Sequence, residues 1–206
     1  MGHLCVNSCV MKSDVHCTAM KIIMEIQSIY QQAILFAAAK HAENNQTIPG
    51  TNLPYVVHVS NVAMEILMTA HHDPEFDLAL AIKLALLHDT LEDTSASFDE
   101  IARNFGTEIA RGVAALTKND QLPKAEQMAD SLSRIRNLPK EVGMIKLADR
   151  ITNLQEPPGH WSMQKIKIYL QEAGVILEQL KHCNDFLARR LAEKIDEYGN
   201  YCDITS

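Results

Sequence analysis

Apolar residues return every three or four positions along most of this chain, and no stretch of useful length alternates apolar with polar. From Lys21 to His41, in KIIMEIQSIYQQAILFAAAKH, Ile22, Ile26, Tyr30, Ile34 and Ala37 share a helical face. The Asn, Gly and Pro of ENNQTIPGTNLP end that helix, and Pro54 opens the next, PYVVHVSNVAMEILMTA. A third helix is expected from about Glu75 through Leu91. TSASFDEIARNFG supplies a cap, a short helix and a glycine stop, and TEIARGVAALTK is a further amphipathic helix. After NDQLP follow KAEQMADSLSRIRNL and then PKEVGMIKLADRITNLQ, with proline at its start. The turn EPPGHW leads to two long closing helices, SMQKIKIYLQEAGVILEQLKH and CNDFLARRLAEKIDEYG. The reading is an all-α helical bundle, one domain over residues 21–200. Residues 1–20 have weak periodicity and read as a flexible N-terminal tail or extension.

Composition sharpens this only slightly. At 206 residues, with 47% hydrophobic and 22% charged, the chain suits a single domain with a sizeable core. A formal charge of -7 speaks against non-specific binding to nucleic acid or to an acidic membrane surface. No apolar run approaches the ~20 residues of a membrane span, and no secretory signal core is evident. The five cysteines, Cys5, Cys9, Cys17, Cys183 and Cys202, do not form a disulfide framework. Cys5, Cys9, His16 and Cys17 match no compact zinc-finger spacing. A cytoplasmic protein without nucleic-acid or membrane partners is the plain expectation.

The chemistry begins at residues 84–94, LALLHDTLEDT, where a histidine and three carboxylates follow a run of leucines. On a continuous helix, positions four apart share a face, which pairs His88 with Glu92 and Asp89 with Asp93. Burying such a set without a cation costs several kcal/mol per charge or forces protonation. A bound metal removes the objection. Carboxylates at a helix C-terminus also run against the helix dipole, so a merely solvated helix end is a poor explanation. His58, on an otherwise apolar helix, reads alone as a core histidine, and Asp149 beside Arg150 reads alone as a structural ion pair. Together with His88 and Asp89 they make a His, His-Asp, Asp set from three helices. Mixed imidazole and carboxylate donors suit manganese, iron or zinc better than calcium.

This H…HD…D spacing resembles the HD-domain metal-dependent phosphohydrolases. PYVVHVSNVA, ALLHDTLEDT, FG, LTK and IKLADRITNL, taken in order, are similar to motifs of the hydrolase domain of the RelA/SpoT alarmone enzymes. The similarity runs from about Ala37 to the C-terminal helices and includes no synthetase domain, as in a stand-alone small alarmone hydrolase. It implies removal of the 3′-pyrophosphate of guanosine tetra- and pentaphosphate, a small-molecule nucleotide substrate, with Mn²⁺ as cofactor. It also implies metal ligation by His58, His88, Asp89 and Asp149, and catalytic roles for Glu92 and Asp93 at the nucleophilic water and the leaving side. Asn153 and, more loosely, Lys118 and Tyr169 fall at nucleotide-contacting positions of the family; Tyr169 equally suits core packing, and Arg150 suits either a phosphate contact or an internal salt bridge.

One segment departs from the pattern. The family's basic pair before PY is replaced by Asn44, Asn45 and Gln46, whose neutral amides hydrogen-bond but supply no charge. Another substrate therefore stays open beside the guanosine alarmones: an adenosine analogue, a nucleoside monophosphate or a cyclic nucleotide. The Glu92–Asp93 pair counts against the last two, because the simple HD motif does not require it.

Overall fold

The computed structural model describes residues 7–203, with side chains from Met24 to Cys202. Cys5 lies outside the described residues, as do the side chains of Cys9, His16 and Cys17 and those of the expected tail. Among the described residues ten α-helices follow one another: α1 (Asn7–Glu43), α2 (Val56–His72), α3 (Leu78–Leu87), α4 (Thr90–Asp93), α5 (Phe98–Phe105), α6 (Thr107–Leu116), α7 (Lys124–Ile135), α8 (Lys140–Asn153), α9 (Met163–Leu180) and α10 (Asp185–Asp203). Among the described residues there is no β-strand, only an isolated antiparallel bridge between Thr47 and Pro54. α1 begins upstream of Lys21, the start that periodicity suggests.

The centre of the bundle is α3. Its sequence LALAIKLALL is apolar on every side, the signature of a helix surrounded by others. α1, α2, α6 and α8 all pack on it, and Leu84, Leu86 and Leu87 are fully buried. Asp77 starts this helix by accepting from the Leu80 amide at 2.9 Å. The Asp77 amide in turn donates to Glu141 Oε1 at 2.9 Å, joining the beginnings of α3 and α8. α6 approaches closely because Gly112 has no side chain, and a Cβ there would lie 2.5 Å from Leu84 Cδ2. At the corner between α5 and α6, Gly106 has φ +97°, a backbone that side chains rarely adopt. Glu65 grips Arg190 through two hydrogen bonds of 2.6 and 2.8 Å, tying α2 to α10.

The third helix differs from the expected Glu75–Leu91 span. It starts later because Asp77 caps it, and it stops at Leu87. His88 Nδ1 reaches the carbonyl of Ala85 at 2.8 Å, and Thr90 Oγ1 reaches that of Leu87 at 2.7 Å. These side chains engage carbonyls that a continuing helix would bond through backbone N–H groups. Asp89 then takes φ −99°, ψ 0°, and α4 restarts as a separate single turn. The HD dipeptide therefore sits at a kink rather than in mid-helix.

Candidate metal centre and active site

Three segments converge at the end of α3. α2 brings His58 one turn after Tyr55, the α3–α4 kink brings His88 and Asp89, and α8 brings Asp149. His58, His88 and Asp149 offer ligand atoms that all lie within 4.8 Å of one another. The Nε2 atoms of the two histidines are 3.4 Å apart. Asp149 Oδ1 lies 3.4 Å from His58 Nε2 and 3.7 Å from His88 Nε2. Asp89 Oδ2 is 3.7 and 3.0 Å from the same two nitrogens. Donors each about 2.1 Å from one ion, at octahedral or tetrahedral angles, stand about 3.0–3.4 Å apart. His58, His88 and Asp149 thus lie close enough together to share a single ion, with Asp89 beside His88.

The electrostatics point the same way. His88 and His58 are only 3% and 5% exposed. Two imidazole nitrogens facing each other there repel unless a proton or cation comes between them. Burial opposes charging His88, but the Asp89 and Asp149 carboxylates outweigh it and raise the imidazole well above its ordinary pKa. Burial likewise pushes both carboxyls up. The His88 charge overcomes it at Asp89, whose pKa falls to about 2, and hydrogen bonds from His58 and His88 overcome it at Asp149, which falls well below the carboxylate range. The cluster attracts positive charge at its centre, and a divalent cation serves where a proton otherwise must.

A second layer orients these groups. The Ala85 carbonyl calls for a proton on His88 Nδ1, leaving the Nε2 lone pair directed at the centre. The Tyr55 hydroxyl donates to Asp89 Oδ2. Asn153 Nδ2 donates to Asp149 Oδ1 at 2.6 Å, and Lys146 Nζ lies 3.7 Å from Asp149 Oδ2. Asn153, which the resemblance directs at nucleotide, is thus in contact with Asp149.

Glu92 and Asp93 flank the cluster on α4 and turn to different partners. Glu92 accepts from the Lys118 amide at 3.0 Å and pairs with the Lys118 ammonium. Asp93 accepts from Gln46 Nε2 at 2.8 Å, and burial pushes its carboxyl above the usual range. The Asn44 side chain donates to the Asp93 carbonyl at 3.2 Å. Two of the amides that replace the basic pair therefore turn inward onto Asp93.

Beside the carboxylates lies a cavity of about 360 Å³ whose lining includes Lys118, Lys124, Lys146 and Arg150, with Glu172 as the acidic member. Lys124 makes no ion pair among the described residues. Arg150 is 8% exposed; among the described residues its Nε and Nη1 have no hydrogen-bond partner, and its Nη2 is 3.6 Å from Glu172. The Arg150 guanidinium lies 4.2 Å over the Tyr169 ring, which also meets Trp161 edge-on at 5.2 Å. The structure thus brings Lys118 and Arg150 into one basic cavity and sets Tyr169 against Arg150. In a chain of net charge -7, such a concentration of cations marks a place for an anion.

The sequence pattern did not single out Tyr55, Lys124 or Lys146, and it marked Gln46 only as a replacement for a lost basic residue, not as a partner of Asp93. Tyr55 was within reach, since it precedes His58 by three positions and so shares its face. Gln46 was not, because its partner lies 47 positions away in sequence.

Residues 33–174 match the HD domain family. The chain belongs to the HD-domain family. Among curated HD-domain relatives, guanosine-3′,5′-bis(diphosphate) 3′-pyrophosphohydrolase MESH1 of Danio rerio is 31% identical over 177 residues, 84% of this chain and 95% of that one. The Homo sapiens protein of the same name is 30% identical, over 82% of this chain and 93% of its own. In three dimensions this HD domain is similar to a solved structure described as a metazoan orthologue of SpoT that hydrolyses ppGpp and plays a role in starvation responses. The TM-score is 0.70 at 27% identity, covering 83% of this chain and 96% of that one.

Proposed function

We propose that this HD-domain protein hydrolyses the 3′-pyrophosphate of guanosine tetra- and pentaphosphate, releasing pyrophosphate and GDP or GTP. The observation that carries the reading is the juxtaposition of two features: two buried histidines clustered with two half-buried aspartates, and a basic cavity beside them. The activity for which the MESH1 relatives are named, proteins that align along nearly their whole length, supports it.

In this reading His58, His88, Asp89 and Asp149 hold a divalent metal, and their nitrogen and oxygen donors suit Mn²⁺. When bound, such an ion lowers the pKa of a coordinated water and polarises a phosphoryl oxygen. Asp93, with its raised pKa, exchanges a proton with the attacking water. Glu92 holds Lys118 at the mouth of the basic cavity, so that the ammonium meets substrate phosphate. Arg150, stacked on Tyr169, presents a rigid guanidinium to the same anion. Asn153 keeps Asp149 oriented.

The substrate's base is a separate matter. With Gln46 bonded at both ends to His41 and Asp93, and the Asn44 Nδ2 donated to the Asp93 carbonyl, these amides offer a nucleotide no charge and few free donors on that rim. This favours, as a second reading, the same reaction on a different pyrophosphorylated nucleotide, an adenosine analogue first. Incubation with a panel of guanosine and adenosine 3′-diphosphates and Mn²⁺, with products identified by mass spectrometry, separates the two. Pyrophosphate together with GDP from ppGpp is expected; an untouched ppGpp beside a hydrolysed adenosine analogue transfers the proposal to the second reading.

A further inference from the structure

We infer that Gln46 is a positioning residue for the reaction, aiming the Asp93 carboxylate from a loop 47 positions away in sequence. The inference rests on the phosphohydrolase reading, in which Asp93 handles the proton of the attacking water.

The loop after α1 is built to hold this one side chain. Asn45 takes a left-handed φ of +49°, which asparagine tolerates, and reverses the chain. The Gln46 amide then donates to the His41 carbonyl at 3.1 Å, and the Gln46 carbonyl accepts from the Tyr55 amide at 3.0 Å. Its side chain is spanned in the same way: Nε2 donates to Asp93 Oδ2 at 2.8 Å, and Oε1 lies 2.6 Å from His41 Nδ1. A carboxylate only accepts, so the amide must face it with Nε2. Oε1 must then meet a proton on His41 Nδ1. His41 is 2% exposed and rests against the Tyr55 ring at 4.8 Å, so the acceptor end of the amide is anchored in the core. Asn44 fixes the Asp93 backbone from the same loop. Among the described residues Asp93 Oδ1 receives no hydrogen bond, which leaves that oxygen for the water. Tyr55 extends the arrangement, because the loop that holds Asp93 through Gln46 also holds Asp89 through Tyr55.

The contrasting role for Gln46 is contact with the nucleotide. The two differ in what a variant changes. Misaiming a proton-transfer group lowers turnover, and a displacement of about 1 Å can cost roughly a hundredfold, whereas losing a substrate contact of equal strength in both states raises KM.

Gln46→Met keeps the length and removes both hydrogen bonds; Gln46→Lys keeps a donor to Asp93. With manganese-loaded protein and ppGpp, Gln46→Met should lose about ten- to a hundredfold in kcat with KM within about twofold of the parent. Gln46→Lys should recover part of that loss. A raised KM with kcat retained, or equal losses in the two variants, overturns the inference. A second readout needs no turnover: the carboxyl carbon of Asp93 followed by NMR against pH in metal-free protein. Asp89, Glu92 and His41 face Asp93 in parent and variant alike, so Gln46→Met should move the midpoint upward through loss of one donor. An unmoved midpoint contradicts the link. If the parent leaves ppGpp and every other pyrophosphorylated nucleotide intact, the proposed function fails, and the midpoint alone decides whether Gln46 governs Asp93.

Discussion

Tyr55→Phe is the sharpest perturbation of the candidate metal centre, because it deletes one atom and leaves the packing in place. The ring sits between His41 and His58, with centroids 4.8 and 5.1 Å away, and phenylalanine fills the same space. What is lost is the hydroxyl that donates to Asp89 Oδ2. A hydrogen bond to a charged acceptor contributes about 1.5–3 kcal/mol. Removing a partner that orients a metal ligand weakens binding about 10–100-fold, which corresponds to about 1.4–2.7 kcal/mol and falls in the same range. Mn²⁺ affinity measured by competition with a chelator should fall by that factor, while the metal-free melting temperature shifts by only a few degrees. Unchanged affinity in a folded Tyr55→Phe protein would refute the view that Tyr55 orients a metal ligand.

Three further outcomes are expected. Asp89→Ala removes a charged donor 3.0 Å from His88 Nε2 and should abolish both Mn²⁺ binding in calorimetry and pyrophosphate release. Leu86→Ala, in the fully buried centre of α3, should lower unfolding free energy by about 2–5 kcal/mol in a denaturant titration, and a loss below 1 kcal/mol contradicts the packing described. The third concerns pH. His88 is raised above its ordinary value in the metal-free fold, so its stabilising contribution is complete below about pH 6.5 and declines as pH rises through the folded pKa. Asp89 and Asp149 are depressed, so theirs is present above about pH 4 and declines as pH falls through the folded values, about 2 for Asp89. With His88 as a proposed ligand, metal would replace its proton, and the gain in melting temperature from a fixed Mn²⁺ concentration should grow from pH 6 to pH 8. A gain that shrinks over that range contradicts the assignment of His88 as a ligand.

The helices were legible wherever one face is apolar. α2, with buried Val59, Val62, Ala63 and Ile66, follows its period directly, and Ser97 caps α5 as its residue type suggests. The break between α3 and α4 was not legible. Periodicity continues through HDTLED, while the interruption comes from the His88 and Thr90 side chains competing for backbone carbonyls. That kink changes the meaning of the i, i+4 pairs: Glu92 and Asp93 turn away from each other, to Lys118 and Gln46. The residues of the metal set stood out as polar intrusions into apolar helices, and the fold gathers His58, His88, Asp89 and Asp149 within a few ångströms. Two contacts beside them span long stretches of chain, Tyr55 with Asp89 over 34 positions and Gln46 with Asp93 over 47, so neither pairing is readable from local pattern. Side-chain pairing over such separations is decided by tertiary packing, which local pattern does not encode. The basic cavity was hidden for the same reason, its cations being contributed by α7, α8 and the loop before α7.

The most direct measurement is pyrophosphate release from ppGpp by protein stripped of metal with a chelator and then titrated with Mn²⁺. No release is expected from the stripped protein, with recovery that saturates with added Mn²⁺ and no recovery in Asp89→Ala. Undiminished release after complete metal removal would overturn the proposed metal dependence.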